Sequence, residues 1–226
     1  VYNGINEFFK VLDENTKTET KKRFSYGCDY FIFVGSLHPR KNIGNLIKAF
    51  ALFKKESGSG MKLMLAGPGF WGLGPIRKTI EESGLQNEII FTERLNNADL
   101  ALVLGSATAM TFVPYYEGFG IPLLEAMEAG VPVISGNLTS LPEVAGDAAL
   151  LVNPFSIDEI KNAMLKLSTD TQLRQDLISK GLKRKEEFFL QKVKMQMMLE
   201  VAKVFNVFCN LLKGNPLLHI RRREQV

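Results

Sequence analysis

Residues 30–66 read YFIFVGSLHPRKNIGNLIKAFALFKKESGSGMKLMLA, and their pattern is strand, loop, helix, loop, strand. Tyr30-Phe31-Ile32-Phe33-Val34 is an unbroken apolar run rich in β-formers that stops at Gly35. From Asn42 to Lys55 the apolar residues Ile43, Leu46, Ile47, Phe50 and Phe53 recur with the period of one buried helix face, and Asn42 stands where an N-cap is expected. Gly58-Ser59-Gly60 breaks the chain, and Met61 to Ala66 forms a second apolar run. Outward from this unit the alternation continues. Residues 15–23 are polar and fit a helix or a loop. Helices are predicted at 75–83, closed by Gly84, at 97–105, and at 121–129, closed by Gly130. Strands are predicted at 88–91, 110–113, 131–135 and 149–152, with two or three helices from about 156 to 212. Short apolar strands that barely alternate, separated by helices, imply an α/β fold: a parallel sheet of about six strands, doubly wound by right-handed crossovers and covered by helices on both faces. Such sheets bind ligands at the carboxyl ends of their strands, so the residues following each strand are the ones to inspect.

Composition narrows the class. The 226 residues are 46% hydrophobic and 23% charged, the profile of a globular domain. The sequence holds no apolar run long enough to span a membrane. Cys28 and Cys209, with only His38 and His219 beside them, supply neither a disulfide framework nor a zinc site, and two unguarded thiols fit a reducing compartment. Residues 180–226 carry eleven Lys and Arg against four acids within a chain of net charge +4. The body before them is therefore net acidic and is no platform for nucleic acid. The basic end reads as a solvated helix face with a frayed tail over 213–226, or as a patch for peripheral contact with anionic lipid. The chain opens at Val1 without a signal peptide, and Val1-Tyr2-Asn3-Gly4 reads as a strand entering a turn. It is expected to be a piece of a longer protein, with one domain over 1–212.

Three strand ends carry chemistry. After the first, Gly35-Ser36-Leu37-His38-Pro39-Arg40-Lys41-Asn42 sets two cations just before a helix N-terminus, a ready phosphate site or else a solvated basic loop. After the second, Gly67-Pro68-Gly69-Phe70-Trp71-Gly72 matches G-x-G-x-x-G letter by letter. The dinucleotide fingerprint needs its glycines to open directly into a helix, and Leu73-Gly74-Pro75 intervenes. After the fourth comes Pro114-Tyr115-Tyr116-Glu117-Gly118-Phe119-Gly120-Ile121-Pro122-Leu123-Leu124-Glu125. Pro122 suits a first helical turn, and the glycines keep backbone amides open to an anion. Glu117 in the loop and Glu125 inside the helix could each accept the paired hydroxyls of a sugar or ribose, or serve as a surface pair with a capping role. The polar segment 135–146 could line the same cleft, with Glu143 a structural partner.

These residues resemble a known family. The segment 117–154, EGFGIPLLEAMEAGVPVISGNLTSLPEVAGDAALLVNP, with its E-x7-E pair Glu117 and Glu125, is similar to the C-terminal domain of the retaining glycosyltransferases of family 4. FVGSLHPRKN is similar to that family's phosphate-binding loop, and the likeness runs from Val1-Tyr2-Asn3-Gly4 to about residue 205. The resemblance implies the GT-B architecture, two Rossmann-like domains facing a cleft, of which this chain is the donor-binding half and lacks the N-terminal acceptor half. It implies that Gly35, Arg40 and Lys41 hold the donor diphosphate and that Glu117 meets the transferred sugar. Gly118, Phe119, Gly120, Ile121 and Leu123 would form the amide-lined helix start, Glu125 would bind the ribose, and Leu95, beside Arg94, would lie near the base. Glu117, Arg40 and Lys41 would be the catalytic groups. Many members carry Arg directly after the first glycine. Here that position is Ser36, and the role falls on Arg40 in a P-R-K-N pattern found in one branch.

That branch points to mannosyl transfer from GDP-mannose. The implied activity is hexosyl transfer with retention, from a nucleoside-diphosphate sugar to a saccharide or lipid-linked acceptor, in polysaccharide biosynthesis at the cytoplasmic face of the membrane. No cofactor and no metal is implied. Two other functions fit parts of the pattern: a non-catalytic nucleotide-sugar-binding module, and an NAD-binding oxidoreductase domain resting on Gly67 to Gly72.

Overall fold

Six strands pair side by side, all parallel, in the order β3-β2-β1-β4-β5-β6. They are β1 (Tyr30–Val34), β2 (Lys62–Ala66), β3 (Ile89–Glu93), β4 (Ala109–Phe112), β5 (Val133–Gly136) and β6 (Ala149–Val152). Between and around them run α1 (Glu14–Ser25), α2 (Ile43–Ser57), α3 (Gly74–Glu82), α4 (Asn97–Gly105), α5 (Ile121–Glu128), α6 (Leu141–Ala145) and α7 (Ile157–Thr169), followed by helical residues 171–185. This is a computed structural model, and it describes residues 8–69, 72–188, 198 and 201. Asn3–Lys185 make one compact unit; Val1–Tyr2 with Glu186–Val226 make another. The opening strand, the limit at 212 and the basic tail expected from sequence fall outside the described residues.

The strands do not alternate because both faces are covered: every residue of β1, β4 and β5 is buried. On one side, α2 turns Ile43, Leu46, Ile47, Phe50 and Phe53 inward and packs along α7, which buries Ile160, Ala163, Met164 and Leu167. Phe53 meets the ring of Phe31 edge-on, with centroids 5.3 Å apart. Phe33 of β1 stacks on Phe112 of β4 at 5.9 Å. Each of these rings is fully buried, and each such side chain stabilises the fold by roughly 1.5–3 kcal/mol. Three helices, α1, α4 and α7, carry side-chain caps: Asp13, Asn96 and Ser156 each accept from an amide three residues on.

Several element limits differ from the sequence reading, each for a physical reason. β5 begins at Val133 and not Val131, because the Val131 amide closes the end of α5 on Ala126 O at 2.9 Å. β4 ends at Phe112 because the Val113 carbonyl is taken by the Asn42 side chain. The one-turn helix α6 was not expected: five residues are too few to show a period, and its only signal is Pro142 in the first turn. Asn42 does hold the N-cap position of α2, its carbonyl accepting from Leu46 N at 3.2 Å, but its side chain does not cap the helix. Its backbone is left-handed (φ 62°) and its side chain makes no cap hydrogen bond.

Candidate active site at the sheet switch point

The chain moves outward from β1 to β2 and β3, then returns to β1's other side with β4 and continues to β5 and β6. The crevice between the carboxyl ends of β1 and β4 is therefore the switch point, the place where such sheets receive ligands. The loops that leave these two strands are the ones that carry the charged residues.

The β1 loop is shaped by close backbone packing. Gly67, after β2, has φ 147°, and a Cβ there would lie 2.0 Å from Gly35 O. Gly35 N donates to Ala66 O and Leu37 N to Pro68 O, both at 2.9 Å. The first glycine of the G-x-G-x-x-G match thus serves the contact of two strand-end loops. α3 starts only at Gly74, after a Leu73 cap position with no side-chain bond, so the dinucleotide fingerprint lacks its helix. His38 Nδ1 accepts from Arg40 N at 3.1 Å, and Pro39–Lys41 form a single 3-10 turn. That turn aims Arg40 and Lys41 at the crevice.

Glu117, in the β4 loop, meets both cations. Lys41 Nζ donates to Glu117 Oε2, and Arg40 Nη1 stands 3.6 Å from the same oxygen. Arg40 also donates to Tyr116 O at 3.1 Å, while its own carbonyl accepts from Tyr115 N at 2.9 Å. Lys41 is buried, with its ammonium 4.7 Å above the Phe112 ring, so a cation–π contact supplements the ion pair. Three sequence-predicted site residues, the adjacent Arg40 and Lys41 and, 76 positions beyond Lys41, Glu117, are thus brought into one cluster.

Glu117 is held from behind by residues no motif singled out. Its amide donates to Thr139 Oγ1 at 3.3 Å, and Ser140 Oγ donates to its carbonyl at 3.0 Å. Thr139 has φ 58°, a costly backbone for a β-branched residue and one that clusters at functional sites. The polarity of segment 135–146 was the available signal. Glu143 enters this region through its carbonyl, which accepts from Arg184, so its structural role is a main-chain one.

Beyond Glu117 the chain prepares the start of α5. Gly120 adopts φ 103°, and a Cβ there would press on Leu141 at 2.8 Å. Gly118 is different: its φ is not positive and a Cβ would meet nothing within 4 Å. Neither backbone nor neighbours demand glycine at 118, and its open side is available to an incoming group. Glu125 lies one turn inside α5, half-buried, with no hydrogen-bonded or ionic partner among the described residues. Burial alone pushes its carboxyl up to about 7. Leu95 lies half-buried just after β3, with Arg94 exposed beside it; among the described residues no hydrogen bond or ion pair joins either to the Lys41 cluster. Among the described residues no three His, Cys, Asp or Glu side chains gather as metal ligands would, and no helix is long and apolar enough to cross a membrane.

Comparisons with known proteins bear on the family and the fold. The family described as "Glycosyl transferases group 1" matches residues 15–184. The chain is 34% identical over 159 residues to O-antigen chain mannosyltransferase B of Escherichia coli, across 70% of this chain and 42% of that protein. It therefore spans less than half the length of that relative. Anabaena HepE, solved with UDP and glucose, superposes with a TM-score of 0.78 at 19% identity, over 89% of this chain and 56% of that one. The C-terminal domain of the group 1 glycosyl transferase LpcC from Francisella tularensis superposes with a TM-score of 0.67 at 21% identity, over 78% of this chain and 93% of that domain. With the switch-point cluster, the E-x7-E segment and the family match coinciding on one stretch of chain, this protein belongs to the glycosyl transferases group 1 family and has the fold of its GT-B C-terminal domain.

Proposed function

We propose that this chain is the donor-binding half of a retaining, family 4 hexosyltransferase that moves a mannosyl group from GDP-mannose to a saccharide or lipid-linked acceptor. The domain would run to about residue 212, with 213–226 a basic tail. The observation that carries the reading is the Lys41–Glu117–Arg40 cluster spanning the β1/β4 crevice. In this reading Lys41 and Arg40 take the diphosphate. As the sugar departs, negative charge grows on the phosphate oxygens, and fixed cations in a desolvated site stabilise it without reorganising. Amides of Gly118, Phe119 and Gly120, leading into the start of α5 at Ile121 and Leu123, add the positive end of a helix. Glu117, released from Lys41 when phosphate arrives, turns to the hydroxyls of the sugar. Glu125 supplies the ribose contact. Its lack of any partner supports this, because a half-buried carboxyl held without hydrogen bonds is costly unless a ligand provides them. Gly35 lets the phosphate approach the β1 loop, and Leu95 borders the base.

The mannosyltransferase name of the Escherichia coli relative supports the sugar. HepE, crystallised with UDP and glucose, supports a nucleotide-sugar ligand for this fold. Calorimetric titration of the chain with GDP, UDP, ADP and NAD tests the reading. Binding of one nucleoside diphosphate, lost in Glu125→Ala, is the expected result. Preference for NAD, or binding indifferent to Glu125, would overturn it.

A further inference from the structure

Asn42 occupies a position that makes two demands at once. Its backbone is left-handed at φ 62°, a region that Gly, Asn and Asp enter at little cost. Its side chain is buried, and the one amide nitrogen donates twice: to Val113 O at 2.9 Å and to Pro154 O at 2.7 Å. Val113 is the residue at which β4 gives way to the loop carrying Glu117, and Pro154 follows β6. Asn42 is itself the residue after Lys41. One side chain thus ties the phosphate loop, the root of the Glu117 loop and the segment beyond β6. Glycine would keep the backbone but make neither bond. Aspartate would keep the shape but set a carboxylate against two carbonyls. Asparagine meets both demands, although its Oδ1 is left buried without a partner, a cost the fold retains.

We infer that Asn42 is a positioning residue: it fixes the distance between the Lys41 ammonium and the Glu117 carboxylate, and thereby sets how strongly the site reads a diphosphate over a monophosphate. The inference rests on the donor-binding reading above. Neighbouring Asn45 gives an internal control. It also donates to Pro154 O, at 3.3 Å, and to the Tyr115 hydroxyl at 3.2 Å, but it makes no bond to the Val113 backbone and so holds the Glu117 loop only by a side chain.

The test compares wild type, Asn42→Gly, Asn42→Asp and Asn45→Ala. Each is titrated with the nucleoside diphosphate that wild type prefers among GDP, UDP and ADP, and with the matching monophosphate, after thermal melts locate a temperature at which all are folded. Wild type should hold the diphosphate at least about ten-fold more tightly than the monophosphate, Lys41 being the added contact. Asn42→Gly and Asn42→Asp should lose most of that preference while keeping monophosphate affinity; Asn45→Ala should retain it. A ratio unchanged in both Asn42 variants overturns the inference even if their melting temperatures fall, since a merely structural strut lowers stability and leaves the ratio alone. Failure of both variants to fold at any temperature overturns it too, making Asn42 a folding residue. Absence of nucleotide binding by wild type removes the donor reading itself, and this inference with it.

Discussion

Glu117 and Glu125 stand eight residues apart and live under opposite conditions. Glu117 sits in a loop with one carboxylate oxygen shared by Lys41 and Arg40. Glu125 sits a turn into α5 with no partner, and burial holds its carboxyl up at about 7. The same side chain is the counter-charge of two cations at one place and an unpaired acceptor, made harder to ionise by burial, at the other. The difference comes from surroundings alone: cations delivered by the β1 loop on one side, burial without a partner on the other. A carboxylate that already has a partner must give it up to bind anything, whereas one without a partner gains most from a ligand that brings hydrogen bonds.

The largest expected effect tests the partnered side. On the proposed transferase reading, Lys41→Ala should lower sugar transfer by about 10²–10³-fold, the cost of removing one fixed charge from the developing anion. Steady-state transfer assays against a folded variant check it; a loss under ten-fold would detach Lys41 from the leaving group.

The unpartnered side should show itself in stability. A carboxyl whose folded value is about 7 against an ordinary 4.5 binds its proton more tightly when folded. Its favourable contribution is complete below pH 4.5 and is lost as pH rises through 7. Glu125→Gln should therefore leave stability unchanged at pH 4 and raise it at pH 8 by at most about 3 kcal/mol. Urea unfolding at the two pH values decides this, and an equal effect at both would mean that Glu125 is solvated.

Glu125→Ala should weaken nucleoside-diphosphate binding by about 1.5–3 kcal/mol, the range for charge-assisted hydrogen bonds. Glu117→Gln provides the smallest and most pointed contrast. By freeing Lys41 it should tighten bare nucleoside diphosphate by a few-fold, about 1 kcal/mol, while the full nucleotide sugar gains nothing. If both substitutions weaken the bare diphosphate alike, the two carboxylates do not have separate duties.

Much of this contrast could be read before the structure, and part of it could not. Apolar runs located all six strands, because burial on both faces writes itself into composition. Glu117, in a glycine-rich strand-to-helix loop, and Glu125, a turn into the helix that follows, were visible through the E-x7-E spacing and the resemblance it carries. The Lys41–Glu117 contact was not legible in spacing: it joins positions 76 residues apart and exists only because β4 returns to lie beside β1. Asn42 was placed at the start of α2 for its capping propensity, yet its side chain turns across the sheet edge, a long-range bond that no local pattern records. Thr139 and Ser140 went unmarked for the same reason: their service to Glu117 is done through its backbone.

The Lys41 ammonium rests over Phe112, and Phe112 stacks on Phe33 in the middle of the sheet. Interior and chemistry therefore share a wall. Mutational drift that would count elsewhere as silent repacking, such as Phe112→Leu, changes the electronic surface beneath the cation while leaving every charged residue in place. On the donor-binding reading, an engineer reshaping this site for a new nucleotide sugar would find that the aromatic residues beneath the ions tune them, and that libraries confined to the loops leave that control untouched.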